Sequence, residues 1–289
     1  MKKCAFLTLD EQGDFVIDDI HAVEPMARLG WQVSIVSWRQ AEVPWSDYDA
    51  VIIRSTWDYW NDVESFLDVL WHIDRATRLA NPLDFVHWNL AKTYMRDLEQ
   101  HGVPIVPTEW VDQIDARKFS KSLELLDTEE TVIKPVVGAN GQDAFRISPD
   151  EPPGRLEGIF ERFQTRPCMV QRFMRCIISE GEYSLFYFNG KFSHAILKVP
   201  AESEFRSQEE HGAEILLVDA EELLLQRGRE AQATMQPPPL YARIDFVRDD
   251  EGDFRVMEME LIEPSLYLRM DPEAPIRFAH AIDDWYGSE

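Results

Sequence analysis

The sequence has few of the residues that build small cross-linked or membrane-embedded proteins. It contains three cysteines, Cys4, Cys168 and Cys176, an odd number without the close spacing of a metal site. We therefore expect structural thiols rather than a disulfide scaffold or a zinc knuckle. No apolar run reaches the roughly 20 residues of a spanning helix, and the N-terminal segment is too short for a signal-peptide core. These absences predict a cytoplasmic protein.

Basic residues are scarce relative to acidic ones. Lys and Arg total 29 against 53 Asp and Glu, a formal net charge of −24. General electrostatic attraction to nucleic acid or to an anionic membrane is therefore not expected. We interpret the excess as a solvated acidic surface. A polyphosphate ligand would need local lysine, arginine and metal ions to overcome this charge.

Length and apolar content indicate a folded chain with a large core. Of the 289 residues, 45% are hydrophobic and 11% aromatic, with nine tryptophans. Such a chain is too apolar to be disordered. It is long enough for one elaborate domain or for two to three lobes around a cleft.

The first part of the chain alternates predicted strands and helices, which is typical of an α/β lobe with a small parallel sheet. Strands are predicted at Lys3–Leu9, Val33–Ser37 and Ala50–Ile53, and helices at Asp18–Leu29 and Asn61–Leu79. A helix from about Trp88 to Gln100 follows. The prolines of Val103–Pro107 then force extended chain, which indicates a lobe boundary.

The remainder is predicted to be mixed α+β. A helix is expected at Ala116–Leu126, and strands at Thr131–Val137, Cys168–Met174 and Tyr183–Phe188. We place three lobes at residues 1–86, 87–175 and 176–289.

The most informative pattern is a predicted β-hairpin near the C-terminus. Its strands, Tyr241–Val247 and Phe254–Met259, flank a polar turn over residues 248–253. A turn centred on residues 251–252 gives two cross-strand pairs on one face: Asp245 with Glu258, and Arg243 with Glu260. The other face would carry apolar side chains: Ile244, Phe246, Met257 and Met259.

Three carboxylates opposed by one guanidinium repel one another unless a cation lies between them. Ligands that are all oxygen suit magnesium or manganese rather than zinc. Asp245, Glu258 and Glu260 are therefore candidate metal ligands, with magnesium expected and manganese left open. The alternative is a solvated acidic strand edge with an Arg–Glu pair.

Lys134 is a candidate phosphate ligand. It follows the apolar Thr-Val-Ile and precedes Pro135 and the loop Gly138-Ala139-Asn140-Gly141. Loop amides between glycines can approach phosphate oxygens without side-chain obstruction, although a plain turn fits equally well. The sequence has neither a Gly-x-x-x-x-Gly-Lys-[Ser/Thr] motif nor a Rossmann glycine fingerprint, which disfavours both of those nucleotide folds.

A basic group stands out in the acidic chain. Lys198, Arg206 and His211 fall within the segment Leu197–Ala213. They could clamp an anionic group. An exposed loop with scattered charges is the alternative.

In chain order, these and other short motifs resemble the ATP-grasp superfamily over roughly residues 80–270. The motifs are Asn89-Leu-Ala-Lys92, Gly102-Val-Pro-Ile-Val-Pro, Val132-Ile-Lys134-Pro135, Val170-Gln171-Arg-Phe173-Met174, Gly181-Glu182-Tyr-Ser, Phe205-Arg206-Ser-Gln208, Arg243-Ile-Asp245 and Glu258-Met-Glu260. In particular they resemble the glutathione synthetases and the glutamate ligases that modify ribosomal proteins. The resemblance implies an ATP-grasp fold, in which an N-terminal α/β lobe precedes two α+β lobes that clamp ATP.

The resemblance also implies a role for each residue that matches a family motif. The nucleotide would contact two phosphate lysines, a mobile lid, an adenine-lining strand and a ribose-binding carboxylate: Lys92 and Lys134, Gly138 and Gly141, Gln171, Phe173 and Met174, and Glu182. Asp245, Glu258 and Glu260 match magnesium ligands. Arg243 matches an arginine that steadies the reaction intermediates, and Lys198 and Arg206 match basic residues near the transferring phosphate.

Two departures from the usual family pattern mark a subgroup. Glu260 stands where most members have Asn, within Glu258-Met-Glu260-Leu-Ile-Glu263-Pro264, and the lid loop lacks the usual Ser. A subgroup with Glu-x-Glu-x-x-Glu-Pro includes the cyclo-ligase that closes the ring of cycloserine. It also carries a stretch like Arg54-Ser-Thr-Trp57-Asp-Tyr59, which we expect to face the cleft and read substrate. A Trp-rich core plug is the alternative.

The resemblance implies an ATP- and magnesium-dependent, ADP-forming ligase. It would phosphorylate a carboxylate or related carbonyl oxygen of a small, amino-acid-like substrate and join it to an amine or similar nucleophile. An intramolecular cyclo-ligase, a nucleotide-binding module without turnover and a purely structural role are the alternatives. Neither nucleic acid nor a membrane is an expected partner, and a homodimer is left open.

Overall fold

Three β-sheets follow one another along the chain. The structure is a computed structural model and describes residues 1–138, 141–202 and 204–287. No helix within these ranges is both long and apolar enough to cross a membrane. The mixed α/β and α+β class predicted from the sequence is confirmed.

The first sheet is parallel and has the order β2-β1-β3-β4. Its elements are β1 (Lys2–Thr8), α1 (Val23–Arg28), β2 (Trp31–Ser37), β3 (Ala50–Ser55), α2 (Val63–Ala76) and β4 (Arg78–Ala80). All residues of β3 are buried, as expected for a central parallel strand covered on both faces. Asp62 caps α2 by accepting a 3.2 Å hydrogen bond from the Ser65 N–H.

The second sheet is antiparallel with the order β5-β8-β6-β7. It follows two short helices, α3 (Leu83–Asn89) and α4 (Tyr94–Gln100). Its elements are β5 (Thr108–Val111), α5 (Ala116–Leu126), β6 (Thr131–Pro135), β7 (Phe145–Ile147), α6 (Pro153–Arg162) and β8 (Cys168–Arg172). Phe119 of α5 and Phe160 of α6 pack in one apolar cluster with Ile133 and Val170 of the sheet.

The third sheet is antiparallel with the order β11-β10-β9-β12-β13. It is built from α7 (Cys176–Ser179), β9 (Glu182–Phe188), β10 (Lys191–Val199), β11 (Glu214–Val218), α8 (Glu222–Ala233), β12 (Tyr241–Arg248), β13 (Phe254–Glu260) and α9 (Ala274–Gly287). One face packs on α8. The other face is divided: its apolar part packs against the first sheet and α9, and its charged part borders a cleft.

The predicted lobe limits, 1–86, 87–175 and 176–289, stay a prediction. Two helices connect different parts of the chain. Tyr94 and Leu98 of α4 join the core of the third sheet, and Phe278 of α9 joins a core that the first and third sheets share. The hydrophobic cores therefore tie the lobes together.

Two predicted helices differ from the structure. The one at Asp18–Leu29 is a 3-10 turn, Asp19–Ala22, continued by α1. The one at Trp88–Gln100 is wrong, because the chain breaks between α3 and α4. There the Asn89 side chain bonds the backbone of β13 and the Lys92 N–H donates to the Val136 carbonyl at 2.8 Å, so tertiary contacts replace helical ones.

The hairpin register agrees with the prediction from the sequence except at one β-bulge. Arg243 pairs with Glu260 and Asp245 with Glu258, as predicted. After Asp245 the register shifts, so that Phe246 pairs with Val256. The prediction that Met257 shares the apolar face is therefore wrong, since the extra residue packs beside Phe173 at the cleft.

His194 on β10 is a buried titratable group outside the cleft. Its ring stacks on Phe186 with centroids 4.2 Å apart. Its Nε2 lies 3.1 Å from the Leu266 carbonyl oxygen, and its Nδ1 lies 2.9 Å from the Ser193 hydroxyl. Burial lowers the pKa of His194 to about 4, so the folded protein holds a neutral ring at neutral pH.

We expect His194 to make the protein acid-sensitive. An unfolded histidine has a pKa of about 6.5. Below that pH the unfolded state binds more protons than the folded state, so the free energy of unfolding decreases as the pH is lowered. Lowering the pH from about 7.5 to about 5 should decrease the free energy of unfolding by about 2 kcal/mol through this group. Urea denaturation measures the change. His194→Gln, which does not titrate, should lack this component. An equal pH dependence in both proteins would contradict the assignment.

Candidate active site

The three sheets meet around one cleft, which is lined by each residue to which the family resemblance gave a nucleotide-binding, metal-binding or catalytic role. These residues are Lys92, Lys134, Gly138, Gly141, Gln171, Phe173, Met174, Glu182, Lys198, Arg206, Arg243, Asp245, Glu258 and Glu260. His211 does not line the cleft. Of the predicted lid, Ala139 and Asn140 lie outside the described residues. The roles of all these residues stay predictions.

The two predicted phosphate lysines differ in their partners. Lys92 donates to the Gly138 carbonyl at 2.8 Å and forms a 2.5 Å ion pair with Glu258. Lys134, on β6, has no hydrogen bond or ion pair with any residue that the structure describes. Burial lowers the pKa of Lys134, although the nearby Glu258 carboxylate opposes this effect. An ammonium group without a partner is thus directed into the cleft.

Asp245 is the most enclosed of the acidic residues. The Ser184 hydroxyl donates to it at 2.5 Å, the Arg243 Nη2 at 3.0 Å, and the Lys198 ammonium lies 3.5 Å away. Burial opposes ionisation, but Arg243 and Lys198 hold the pKa of Asp245 at about 2. The carboxylate is therefore ionised and fixed in place.

The carboxylates of β13 are less well neutralised. Lys92 and Lys134 lower the pKa of Glu258 against the effect of burial. Glu260 bonds the Arg243 guanidinium, yet burial and the negative charges of Glu258 and Asp245 raise its pKa to about 7. The cleft thus holds negative charge that its own cations do not fully neutralise.

Glu182, the predicted ribose ligand, is already engaged. It forms an ion pair with Lys198, and the Ser207 hydroxyl donates to its other oxygen at 3.0 Å. Burial raises the pKa of Glu182. Its carboxylate retains free acceptor positions, since each oxygen can accept about two hydrogen bonds.

One end of the cleft is apolar and suits a planar ring. Phe173 and Ile177 cluster there with Val106 and Val247, and Met174, Phe205 and Met257 pack beside them. The Arg146 guanidinium lies 4.0 Å from the centroid of the Phe173 ring. The side-chain amide of Gln171 donates to the Thr108 hydroxyl at 2.8 Å, so it holds the strand rather than pointing into the cleft.

Arg206 lies against the predicted lid. Its guanidinium bonds Glu204, with Nη2 at 2.7 Å from the carboxylate. Gly141 has a φ of +64°, and a Cβ placed there would lie 3.2 Å from both the Arg206 Cδ and the Gln208 Oε1. A residue with a Cβ at this position would therefore push the Arg206 and Gln208 side chains aside by a few tenths of an ångström.

The stretch Arg54–Tyr59 lies partly in the core and partly in the wall of the cleft, so each of its two predicted placements applies to part of it. The prediction that Arg54 faces the cleft is wrong. It is 1% exposed, donates to Asp19 and to the Pro264 carbonyl, each at 2.8 Å, and so belongs to the core. Trp57 and Tyr59 do line the cleft, from the turn and the 3-10 helix that follow β3.

Sequence reasoning missed several residues at this end of the cleft. They are Phe15, Ser265 and Tyr267, whereas Glu263 was named only as part of the subgroup motif and without a role. Ser265 and Tyr267 follow that motif closely, and Phe15 lies in a segment without a periodic pattern. Burial, followed by the charge of Glu260, raises the pKa of Glu263 to about 8.

The acidic residues fit magnesium by their chemistry, because their donors are all oxygen. In the portions of the chain that are described, no three Asp, Glu, His or Cys side chains are arranged to hold an ion by themselves. Magnesium in nucleotide enzymes commonly takes one or two carboxylates and completes its coordination with phosphate oxygens and water. The site therefore suits a metal that arrives with a nucleotide.

Comparison with known proteins identifies the class. The family model of the prokaryotic glutathione synthetase ATP-grasp domain matches residues 80–238, more than half of the chain. The model of the D-cycloserine synthetase DcsG N-terminal domain matches residues 4–81. The chain therefore belongs to the ATP-grasp family, and it is an ATP-dependent, ADP-forming ligase.

Individual relatives make the similarity more specific. The cycloserine biosynthesis protein DcsG of Streptomyces lavendulae is 31% identical over 278 residues, which cover 90% of this chain and 91% of that protein. Glutathione synthetase of Rhodopseudomonas palustris (strain ATCC BAA-98 / CGA009) is 25% identical over 226 residues, 78% of this chain and 68% of that protein.

Comparison with solved structures shows the same similarity. The crystal structure of D-cycloserine synthetase DcsG has a TM-score of 0.86 at 27% identity, covering 98% of this chain and 99% of that one. D-alanine–D-alanine ligase from Bacillus anthracis has a TM-score of 0.68 at 12% identity, covering 100% and 98%. The latter likeness shows the fold alone.

We expect Gly141→Ala to weaken ATP binding about tenfold, because the added Cβ displaces Arg206 and Gln208 beside the predicted lid. Gly102→Ala is a matched control, since Gly102 has a φ of +81° but open space around a Cβ. Both substitutions should cost about 1 kcal/mol of stability through backbone strain. Calorimetric titration with ATP separates the two effects. Equal ATP affinity in both variants would contradict the crowding.

Proposed function

We propose that the chain uses Mg-ATP to phosphorylate a carboxylate of a small, amino-acid-like molecule and then joins the activated carbonyl to a nitrogen nucleophile. The single observation that carries this proposal is the Lys134 ammonium, which has no ion-pair partner among the described residues and lies near the partly neutralised carboxylates of β13. Such a site needs both an anion and a cation. A metal-bound triphosphate supplies both.

The nucleotide would lie along the cleft with its base at the apolar end, beside Phe173 and Met174. Its phosphates would then reach Lys92, Lys134 and the loop that ends at Gly141. In this arrangement residues 1–86 read the substrate, residues 87–175 cover the phosphates, and residues 176–289 carry the metal ligands and catalytic residues. The cleft is apolar near Phe173 and charged near β13, and this difference supports the proposed orientation of the nucleotide.

The proposed reaction has two steps. A substrate carboxylate oxygen attacks the γ-phosphorus, and ADP leaves. A nitrogen nucleophile then attacks the acyl carbon, phosphate leaves with the bonding electrons, and the nitrogen releases its proton to solvent or phosphate. Arg243 and Lys198 would stabilise negative charge on the intermediates, because preorganised cations supply most of the acceleration in such reactions. Bound at Asp245, Glu258 and Glu260, magnesium would neutralise charge on the phosphates.

Intramolecular ring closure is a second candidate. It is favoured by the match of residues 4–81 to the N-terminal domain of a D-cycloserine synthetase and by 31% identity to a cycloserine biosynthesis protein over 90% of the chain. In this case the activated carboxylate and the nucleophilic nitrogen belong to the same molecule. The same ATP chemistry serves both candidates.

We expect Lys134→Met to weaken Mg-ATP binding at least about tenfold, since a charged hydrogen bond contributes about 1.5–3 kcal/mol. Thermal stability should stay equal or rise, because Lys134 has no partner to lose in the described structure and its burial is unfavourable. Calorimetry and thermal unfolding measure the two effects. Lys121→Met, at an exposed position of α5, is the control. Unchanged affinity in Lys134→Met would contradict the phosphate role.

The function is tested by screening amino acids and their derivatives for ADP release, followed by mass spectrometry. Ligation predicts a product equal to two substrates less one water, and ring closure a product one water lighter than its substrate. Glu258→Gln should lower kcat/KM about 100-fold. Glu251→Gln, an exposed acid in the turn of the same hairpin, should leave it unchanged. Full activity in Glu258→Gln would contradict the proposed metal site.

A further inference from the structure

Glu263 is a carboxylate of the cleft that the proposed chemistry does not use. It lies beyond the end of β13, between the proposed metal ligands and the first lobe. No cationic side chain in the described parts of the chain forms an ion pair with it. The four neighbouring acids with a proposed role, Glu182, Asp245, Glu258 and Glu260, each have such a partner.

The walls around Glu263 are aromatic. Trp57 and Tyr59 line the cleft beside it, and Phe15 packs edge-on against Trp57 with ring centroids 5.1 Å apart. After burial, the Glu263 carboxylate is the largest cause that raises the pKa of the Tyr59 hydroxyl, which indicates close proximity. A carboxylate next to aromatic faces is the usual chemistry for holding an alkylammonium group.

The backbone of this segment is held by the first lobe. The Trp57 indole N–H donates to the Glu263 carbonyl at 2.8 Å, and Arg54 donates to the Pro264 carbonyl at 2.8 Å. Arg243 Nη1 also lies 3.4 Å from the Ser265 carbonyl. Glu263 is therefore fixed relative to Arg243, the proposed partner of the reacting carboxylate.

The electrostatics of the segment favour a cationic ligand. Burial, with the negative charges of Glu260 and Glu258, raises the pKa of Glu263 to about 8. A bound cation would lower this pKa and favour the ionised Glu263 carboxylate.

We propose that Glu263, together with Trp57 and Tyr59, binds the ammonium group of the substrate and so selects molecules with a free amino group. This subsite rests on the proposed function and adds to it the recognition of a zwitterion. The ammonium would lie at Glu263 while the carboxylate of the same molecule faces Arg243 and the phosphates. Glu263 is thus a specificity-determining residue rather than a metal ligand.

Two ring compounds test the subsite: D-cycloserine and isoxazolidin-3-one, the same ring without the amino group. Calorimetric titration of the full chain saturated with Mg-ADP should show the wild type binding D-cycloserine at least about tenfold more tightly, as one charged hydrogen bond allows. Glu263→Gln should remove this preference and leave the affinity for isoxazolidin-3-one unchanged. Glu263→Asp should retain part of it. Glu273→Gln, an exposed position immediately before α9 and outside the cleft, should behave as wild type.

Three results would overturn the subsite: no preference in the wild type, an equal loss for both compounds in Glu263→Gln, or no binding of D-cycloserine by wild type that binds Mg-ADP. Binding of Mg-ADP by Glu263→Gln shows that the variant is folded. Failure of the wild type to bind D-cycloserine would not contradict the proposed ligase function, because ADP release in the substrate screen does not depend on D-cycloserine. Failure of the subsite and failure of the function are therefore distinguishable.

Discussion

The burial of five carboxylates in one cleft is the constraint on which the rest of the structure depends. Asp245, Glu182, Glu258, Glu260 and Glu263 would repel one another in a medium of low dielectric, so each needs a cation or a raised pKa. Lys92, Lys198 and Arg243 serve this purpose for the first four. Lys134 and Glu263 are the two groups without such a partner in the described structure, and both face the position that ligands would take.

This arrangement is held by side chains from distant parts of the sequence. Asn89 bonds the backbone of Met259 and Leu261, Asn81 bonds the Leu261 carbonyl, and Trp57 and Arg54 bond the carbonyls of Glu263 and Pro264. The end of β13 is thus fixed by the first lobe and by the break between α3 and α4. The packing of the lobes and the placement of the charges therefore depend on the same contacts. This explains why the hydrophobic cores cross the predicted lobe limits.

Local pattern was enough to predict the parallel first sheet, the hairpin pairing of Asp245 with Glu258, and a cleft lined by Lys92, Lys134 and the acids. Periodicity and the resemblance to a family carry this information. The break at Lys92, the bulge at Met257 and the burial of Arg54 could not be read in the same way. Each depends on a hydrogen bond or contact with a residue far away in sequence, and such contacts override local preference. Glu263 was recognised as part of a subgroup motif, but its surroundings were not predicted, because the aromatic rings beside it belong to residues far away in sequence.

The most direct test of the nucleotide cleft is calorimetric titration of the unmodified chain with a non-hydrolysable ATP analogue, in the presence and absence of magnesium. Because partly neutralised carboxylates repel a bare triphosphate, we expect one nucleotide per chain to bind with magnesium and at least about tenfold more weakly without it. Absence of binding, or equal affinity with and without the metal, would contradict a cleft built to hold metal-bound ATP.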